Sequence, residues 1–372
     1  MSVIKQIIKD LENSFFERSE AIKAVARSIL AEQHIALLGP PGVGKSMLIT
    51  AFADRIIDAN VFQTLLMKDS TPDEVTGPMS LKGLEEDKIR RNIEDMLPAA
   101  DFAFLDEIFK ANSVVLNSTL GIMNERKFKN DGKLIDCPLI TLMAASNELP
   151  EEEELAALWD RFCVRLIVNK IKESSNFVAF LKTKVSPQKS AAATFGTLDD
   201  IRDEIEEVKK VTVSDKILEA MEKIRRELQA EKITPSDRRF AWTLRILQAE
   251  TYLDGRNDVE IDDMIVLTDC FWDKEEDRPK VFKVLSSCTS PEYGEAVELY
   301  DEAMAAVNEI PAKCDDNKII LEITMKLKRC FKELEAINKK TSSKKAKTTS
   351  KKAMEDVKKW NDEFLKRIGI SM

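Results

Sequence analysis

Eight residues, Gly39-Pro-Pro-Gly-Val-Gly-Lys-Ser46, constrain this chain more than any other stretch. They lie between an apolar run, His34-Ile-Ala-Leu-Leu38, and Met47-Leu-Ile-Thr-Ala-Phe-Ala53, so the glycines join a buried strand to a helix. In that setting a Gly-rich loop lets consecutive backbone N–H groups wrap phosphates, and the helix after it adds the positive end of its dipole. The pattern G-x-x-x-x-G-K-S arranges Gly39, Pro40, Pro41, Gly42, Val43, Gly44, Lys45, Ser46 and Met47 around a nucleotide. Lys45 is expected to reach the β- and γ-phosphates and the Ser46 hydroxyl to ligate Mg²⁺, so ATP and Mg²⁺ are the expected cofactors.

A chain of 372 residues is long enough for two or three units. Its 33% charged residues and few aromatics suit a helix-rich, water-soluble protein. The sequence shows no run of about 18 apolar residues and no apolar core of a signal peptide, which predicts a cytoplasmic location without membrane insertion. Cysteines 137, 163, 270, 288, 314 and 330 form no C-x-x-C pair and read as reduced, mostly buried thiols. The single histidine, His34, cannot assemble a zinc site alone and is expected to begin the first strand. A net charge of −9 argues against nucleic acid as the main partner.

Before the phosphate loop, apolar residues recur at helical spacing over Val3–Leu11 and again over Ile22–Leu30, with Ser19 as the expected N-cap of the second helix. Residues 17–22 are the candidate wall for adenine, or else a simple cap and packing surface. After the loop helix, Val61–Met67 reads as a strand and Ser70–Pro98 as a long irregular piece, of the kind that is usually functional. Asp101-Phe-Ala-Phe-Leu-Asp-Glu107 comes next, a buried strand that would deliver Asp106 to Mg²⁺ and Glu107 to the attacking water. A helix over Ser113–Lys127, a hairpin turning at Asp131-Gly132 and a strand over Leu139–Ser146 continue the chain. That last strand ends at Asn147, whose amide can sense the γ-phosphate or the water. An acidic run at Glu151–Glu154 and a short helix then lead through Asp160-Arg161-Phe162 into a final strand, Cys163–Val168.

Lys182–Thr197 reads as a linker, and beyond it the patterns are helical: 217–228, 240–247, 261–267, 294–310, 316–338 and a last helix to about Arg367. The Lys/Ser/Thr tract at 339–352 is expected to be a solvated surface turn between two helices of a bundle, rather than a nucleic-acid contact. The expected architecture is α/β, a P-loop nucleotide domain with a parallel sheet between helices over 1–182. A linker and helical lid over 183–275 and a C-terminal helical bundle over 276–372 complete it.

GPPGVGKS, FAFLDE, AASNELP and LWDRF, in this order, resemble the MoxR family of AAA+ ATPases. STPDEVTGP, LDEIFKAN, LNSTLGIMNERKFKN and SDRRF are similar to its regulatory-ATPase-variant-A (RavA) branch, and the likeness spans about residues 14–275. The resemblance implies that Lys45 and Ser46 are the Walker A groups, Asp106 and Glu107 the Walker B pair, and Asn147 sensor 1. It implies Arg161 as an arginine finger and Arg238 as sensor 2, with Arg165 and Arg239 as the respective alternatives. It also implies a homo-oligomeric ring, usually a hexamer, in which Ser70–Pro98 and the Asp131-Gly132 hairpin face the pore. The implied function is Mg²⁺-dependent ATP hydrolysis that drives chaperone-like remodelling or maturation of a client protein, with a partner bearing a von Willebrand factor A domain. Two other classes stay open, an AAA+ nucleic-acid motor or loader and an ATP-dependent assembly scaffold. Glu85-Glu86-Asp87 beside Lys88, Arg90 and Arg91 give the insert a mixed charge, and a scaffold has no need of Glu107.

Overall fold

In the computed structural model, residues 2–150, 155–185, 193–308 and 317–367 are described. The acidic run 151–154, residues 186–192 of the expected linker (Pro187, Gln188 and Ser190 among them) and Cys314 lie outside the described residues. The chain forms two compact units. One takes the residues up to Ser214 together with Pro235–Val259 and Asp269–Glu275, and the other takes Asp215–Thr234, Glu260–Thr268 and Glu276 onward.

The first unit is built on β1 (His34–Leu38), β2 (Ile56–Ile57), β3 (Val61–Leu65), β4 (Phe102–Asp106), β5 (Lys127–Asn130), β6 (Lys133–Asp136), β7 (Thr141–Ser146), β8 (Phe162–Ile167) and β9 (Gly196–Thr197). Five of these form one sheet in the order β3-β4-β7-β1-β8, and every pairing in it is parallel. Strands β1 and β7 are buried along their whole length, as expected for a parallel sheet covered on both faces, whose strands read as continuous apolar runs. Leu38 pairs with Ser146 and Asp106 with Ala145, so this register makes β1, β4 and β7 end level with one another. The loops leaving their carboxyl ends therefore emerge side by side at the edge where open α/β sheets bind ligands.

The helices of this unit are α1 (Val3–Ser14), α2 (Ser19–Leu30), α3 (Lys45–Ala53), α4 (Pro72–Thr76), α5 (Leu81–Glu85), α6 (Ser113–Glu125), α7 (Ala156–Trp159), α8 (Ser174–Val185) and α9 (Leu198–Lys209). Helix α2 begins at Ser19 rather than being capped by it. The N-cap is Arg18, and the Ser19 hydroxyl donates to Glu12 instead. The piece at 70–98 is not irregular throughout. Thr71 and Glu74 form a capping box on α4, Met79 bridges Arg91, and Arg91 N–H donates to Asn130 Oδ1 at 2.8 Å, which joins the piece to the β5–β6 hairpin. That hairpin turns through Asp131 and Gly132, both at positive φ, as a two-residue turn of the Asp-Gly type requires. Helix α8 occupies residues where composition suggested the start of a linker.

The remaining helices are α10 (Asp215–Ala230), α11 (Asp237–Leu253), α12 (Arg278–Thr289), α13 (Pro291–Asn308), α14 (Asn317–Lys340) and α15 (Lys344–Arg367). Only α11 belongs to the first unit, where Arg27 of α2 reaches Glu250 at 2.9 Å. The compact units thus cut across the boundaries expected for a lid at 183–275. The third expected lid helix is a run of 3-10 turns, Ile261–Asp269, and α12 is a helix that the apolar pattern did not single out.

The tract at 339–352 corrects the expectation of a surface turn. The break between α14 and α15 spans only residues 341–343, and from Lys344 the tract is helix. Small residues explain it: Ala346, Ser350 and Ala353 recur at helical spacing and are buried, while the Ser343 hydroxyl accepts from Ala346 N–H to start the helix. Asn338 at the end of α14 donates to Lys347 O and Ser350 Oγ and closes the turn. The stripe continues through Val357 and Phe364 into a core with Ala296 and Ala303 of α13 and Leu327 and Leu334 of α14. Among the described residues no helix is long and apolar enough to cross a membrane.

His34 opens β1 as expected, and its ring is buried. Leu142 N–H donates to Nδ1 at 2.9 Å, which leaves the proton on Nε2 to bond Met123 O at 2.9 Å. Burial, and then the Arg126 guanidinium, push its pKa from 6.5 down to about 3. Because the folded value lies below the unfolded one, the stability held by neutral His34 is complete above about pH 6.5 and drains away as pH falls toward about 3. It is the only histidine in the chain, so its ring can be followed without assignment. The imidazole signals in the folded protein are expected to stay those of the neutral Nε2–H tautomer down to pH 5. Titration near pH 6.5 would contradict this burial.

Candidate nucleotide site

The loop between β1 and α3 holds its shape through glycines at backbone angles that L side chains rarely adopt. Gly39 has φ of 146°, and a Cβ there would lie 2.1 Å from the carbonyl oxygen of Val168, just beyond β8. Gly42 and Gly44 sit at φ of 80° and 87°, and Gly44 is the N-cap from which α3 starts at Lys45. Arg18, buried just before α2, donates from Nε and Nη2 to Val43 O at 3.2 and 3.1 Å and so pins the loop from outside.

Inside the loop the expected groups meet. Lys45 Nζ donates to Gly39 O at 2.6 Å, to Pro40 O at 3.2 Å and to Asn147 Oδ1 at 2.8 Å. Burial lowers its pKa, against the pull of Glu107 and Asp106, which favour the charged amine. Ser46 Oγ donates to Asp106 Oδ2 at 2.6 Å, and Asp106 Oδ1 accepts from Glu107 N–H at 2.9 Å. Asn147 Nδ2 donates to Glu107 Oε1 at 2.5 Å, so one amide spans the amine of β1's loop and the carboxylate beyond β4. Glu107 adopts φ of 52°, left-handed backbone that a glutamate rarely takes and that functional sites tolerate. Its Oε2 is buried, lies 3.4 Å from Lys110 Nζ and has no hydrogen-bond donor. An acceptor held in place with an open lone pair is what a water to be deprotonated requires. The Ser46 hydroxyl beside the Asp106 carboxylate is a donor set of the kind Mg²⁺ takes when phosphates supply the rest, so the residues present fit Mg²⁺ and a nucleoside triphosphate.

These groups line a cavity of about 760 Å³ together with Phe15, Phe16, Ile171, Phe177 and Phe180. Composition, with only 6% aromatics, makes four phenylalanines at one cavity notable. Sequence reasoning missed all four. Phe15-Phe16 immediately precedes Glu17, and Phe177 and Phe180 are an i, i+3 pair on α8 with ring centroids 6.4 Å apart, which was the signal available. Of the candidate adenine wall, Ala21 and Ile22 go into the core and only Arg18 lines the cavity. Glu17 has another task. Its carboxylate accepts from Lys172 N–H at 2.7 Å, Glu173 N–H at 2.9 Å and Asn176 Nδ2 at 3.0 Å, anchoring the residues that lead into α8. Burial works to raise the Glu17 pKa, but these hydrogen bonds bring it below the usual carboxylate value.

The four arginines separate into two pairs. Arg165 is fully buried, 4.1 Å from the centre of the Trp159 ring, with Nη1 at 2.5 Å from Asp273 and Nη2 donating to Trp159 O at 2.7 Å. Arg239 is buried too and donates to Asp160 at 2.8 Å and Asp273 at 3.0 Å. Neither can be offered to another molecule without breaking this cluster. Arg238 is exposed and Arg161 half-exposed, and neither lines the cavity. They are neighbours: after burial, the charge of Arg238 is what lowers the Arg161 pKa.

A family model described as the MoxR domain of MoxR–vWA–β-propeller ternary systems matches residues 2–209, and an AAA lid domain model matches 216–285. The chain belongs to the MoxR family of AAA+ proteins. An uncharacterized protein of Methanocaldococcus jannaschii is 39% identical over 298 residues, covering 80% of this chain and 77% of its own. Chaperone MoxR1 of Mycobacterium tuberculosis is 25% identical over 173 residues, 43% of this chain and 45% of its own. A crystal structure from Cytophaga hutchinsonii superposes with a TM-score of 0.63 at 17% identity, over 77% of this chain and 93% of that one, and so shares the fold.

The two loop glycines should respond differently to alanine. Gly42→Ala meets no atom within 4 Å and carries only the cost of its positive φ, about 1–2 kcal/mol. Gly39→Ala must also displace the Val168 carbonyl, and a loss above about 3 kcal/mol is expected in urea unfolding. Equal costs would mean that the loop is not wedged against the end of β8.

Proposed function

We propose that the chain is a Mg²⁺-dependent ATPase that works as a ring, most simply a hexamer. The observation that carries this reading is the hydrogen-bonded chain from Lys45 through Asn147 to Glu107, beside Ser46 and Asp106. In this reading Lys45 and the loop amides bind the phosphates of ATP, and Ser46 and Asp106 hold Mg²⁺. Mg²⁺ there neutralises charge on the β- and γ-phosphates. Glu107 accepts the proton of the attacking water on its open oxygen, and Asn147 holds that carboxylate in position. Phe15, Phe16, Phe177 and Phe180 give the base an apolar, aromatic surface.

Arg161 and Arg238 act together across the subunit interface. Their mutual proximity and their absence from the cavity of their own chain favour a shared trans role over a cis role for Arg238. An arginine supplied in trans can be worth about 10³–10⁵ in rate. Exposed Leu81, Leu84 and Ile89 stand among Lys82, Glu85, Glu86, Asp87, Lys88 and Arg90 on the 70–98 piece. Apolar residues amid both charge signs suit a polypeptide client better than a nucleic acid. The family description supports a partner with a von Willebrand factor A domain, and chaperone-like remodelling in the cytoplasm is the corresponding role. The STPDEVTGP and LNSTLGIMNERKFKN stretches favour the RavA branch.

Lys45→Ala is expected to abolish ATP binding in calorimetry, whereas Glu107→Gln should bind ATP and hydrolyse it about 10²–10⁴ times more slowly. Undiminished turnover in Glu107→Gln refutes the assignment. Arg161→Ala and Arg238→Ala should each keep binding and lose most hydrolysis, and each should recover activity when mixed with Glu107→Gln. Recovery requires an interface that joins intact arginines to an intact base. An Arg238→Ala protein that fails to bind ATP would return Arg238 to a cis role.

A further inference from the structure

Helices α13, α14 and α15 share one core, and α15 packs its buried stripe, Ala353, Val357 and Phe364, against the other two. A three-helix arrangement has three outer seams, and the one between α13 and α14 is the seam that α15 does not border. A groove of about 560 Å³ runs there. Its floor is apolar, with Leu299, Ala336 and Ile337, and its rim carries Glu292, Glu295, Glu298, Glu302 and Glu333, five acids against the single cation Lys340 at the end of α14. Glu302 is engaged by Arg329, but Glu292, Glu295 and Glu298 have no cationic partner among the described residues. From Glu292 to Glu302 the rim extends about 15 Å at the helical rise of about 1.5 Å per residue.

The complement lies on the same chain but elsewhere on the bundle. Lys347, Lys351 and Lys358 recur at i, i+4 and i+11, which places them along one exposed side of α15 about 16 Å long. Lys344 and Lys345 are held near Glu260 at 3.8 Å and Asp263 at 3.6 Å, whereas Lys347, Lys351 and Lys358 have no acidic partner among the described residues. Among the described residues none of the α15 lysines pairs with a glutamate of the α13–α14 groove on its own chain.

We propose that the α13–α14 groove receives the lysine row of α15 from a second copy of this chain. Two different surfaces of one chain then meet, a head-to-tail contact that can repeat around a closed ring. The contact deepens the proposed ring assembly and rests on it. Rim charges on this scale set register and partner choice and act through a salt-sensitive association.

The test is the concentration at which full-length protein assembles with ATP, by light scattering, at low and high salt. The pair Glu295→Lys with Glu298→Lys, and separately the pair Lys347→Glu with Lys351→Glu, should each assemble about tenfold less readily at low salt, with unchanged circular dichroism. Mixing the two double variants should restore assembly, because each then meets a groove and a helix of opposite charge. Variants that assemble as the wild type does, or a mixture no better than its parts, overturn the docking and leave the ring standing. A wild type that stays monomeric with ATP overturns both. Salt-dependent binding of single-stranded DNA that the lysine reversal abolishes, with assembly unaffected, gives the lysine row to nucleic acid and overturns the docking as well.

Discussion

The site depends on one side chain more than on any other. Asn147 accepts from Lys45 and donates to Glu107, and so couples the loop after β1 to the acidic pair at the end of β4. It can do so because β7, which it terminates, lies between those two strands in the sheet. An amide suits this place because it carries an acceptor and a donor on adjacent atoms and no charge of its own. An aspartate would face Glu107 with a second negative charge, and a leucine would leave a buried amine and a buried carboxylate without their partners.

A second polar cluster explains how the arginines divide. Asp160 and Asp273 draw Arg165 and Arg239 inward, and Trp159 closes over the Arg165 guanidinium. Asp273 is held below the usual carboxylate pKa: burial pushes it up, but Arg239 and Arg165 outweigh that. The cluster ties α11 and the segment around Trp272 to β8, and it does not include Arg161, which bonds Ala157 O, or Arg238, which lies 5.7 Å from the centre of the Trp242 ring.

Much of this was legible in the sequence. The phosphate loop, the acidic strand, the amide at the end of β7 and the Asp-Gly hairpin each carry a local pattern with a mechanical reason behind it. The expectations that failed did so where local pattern and tertiary contact compete. Ser19 has the chemistry of an N-cap but commits its hydroxyl to Glu12. The Lys-rich tract has the composition of a solvated linker, yet Ala346, Ser350 and Ala353 give it a narrow buried face, and small residues are the weakest hydrophobic signal to read. The aromatic lining was hidden because Phe15, Phe16, Phe177 and Phe180 lie on segments far apart in the chain.

By itself the sequence determined the fold class and the groups that meet in the loop after β1, because those depend on residue type at fixed short spacing. Tertiary structure decided which arginines are committed to a buried ion pair, since that turns on charge partners more than a hundred residues away, as between Arg165 and Asp273. It also decided that Glu17 anchors the residues leading into α8, which lines the aromatic side of the cavity. Such assignments depend on burial and distance, and no local spacing encodes either.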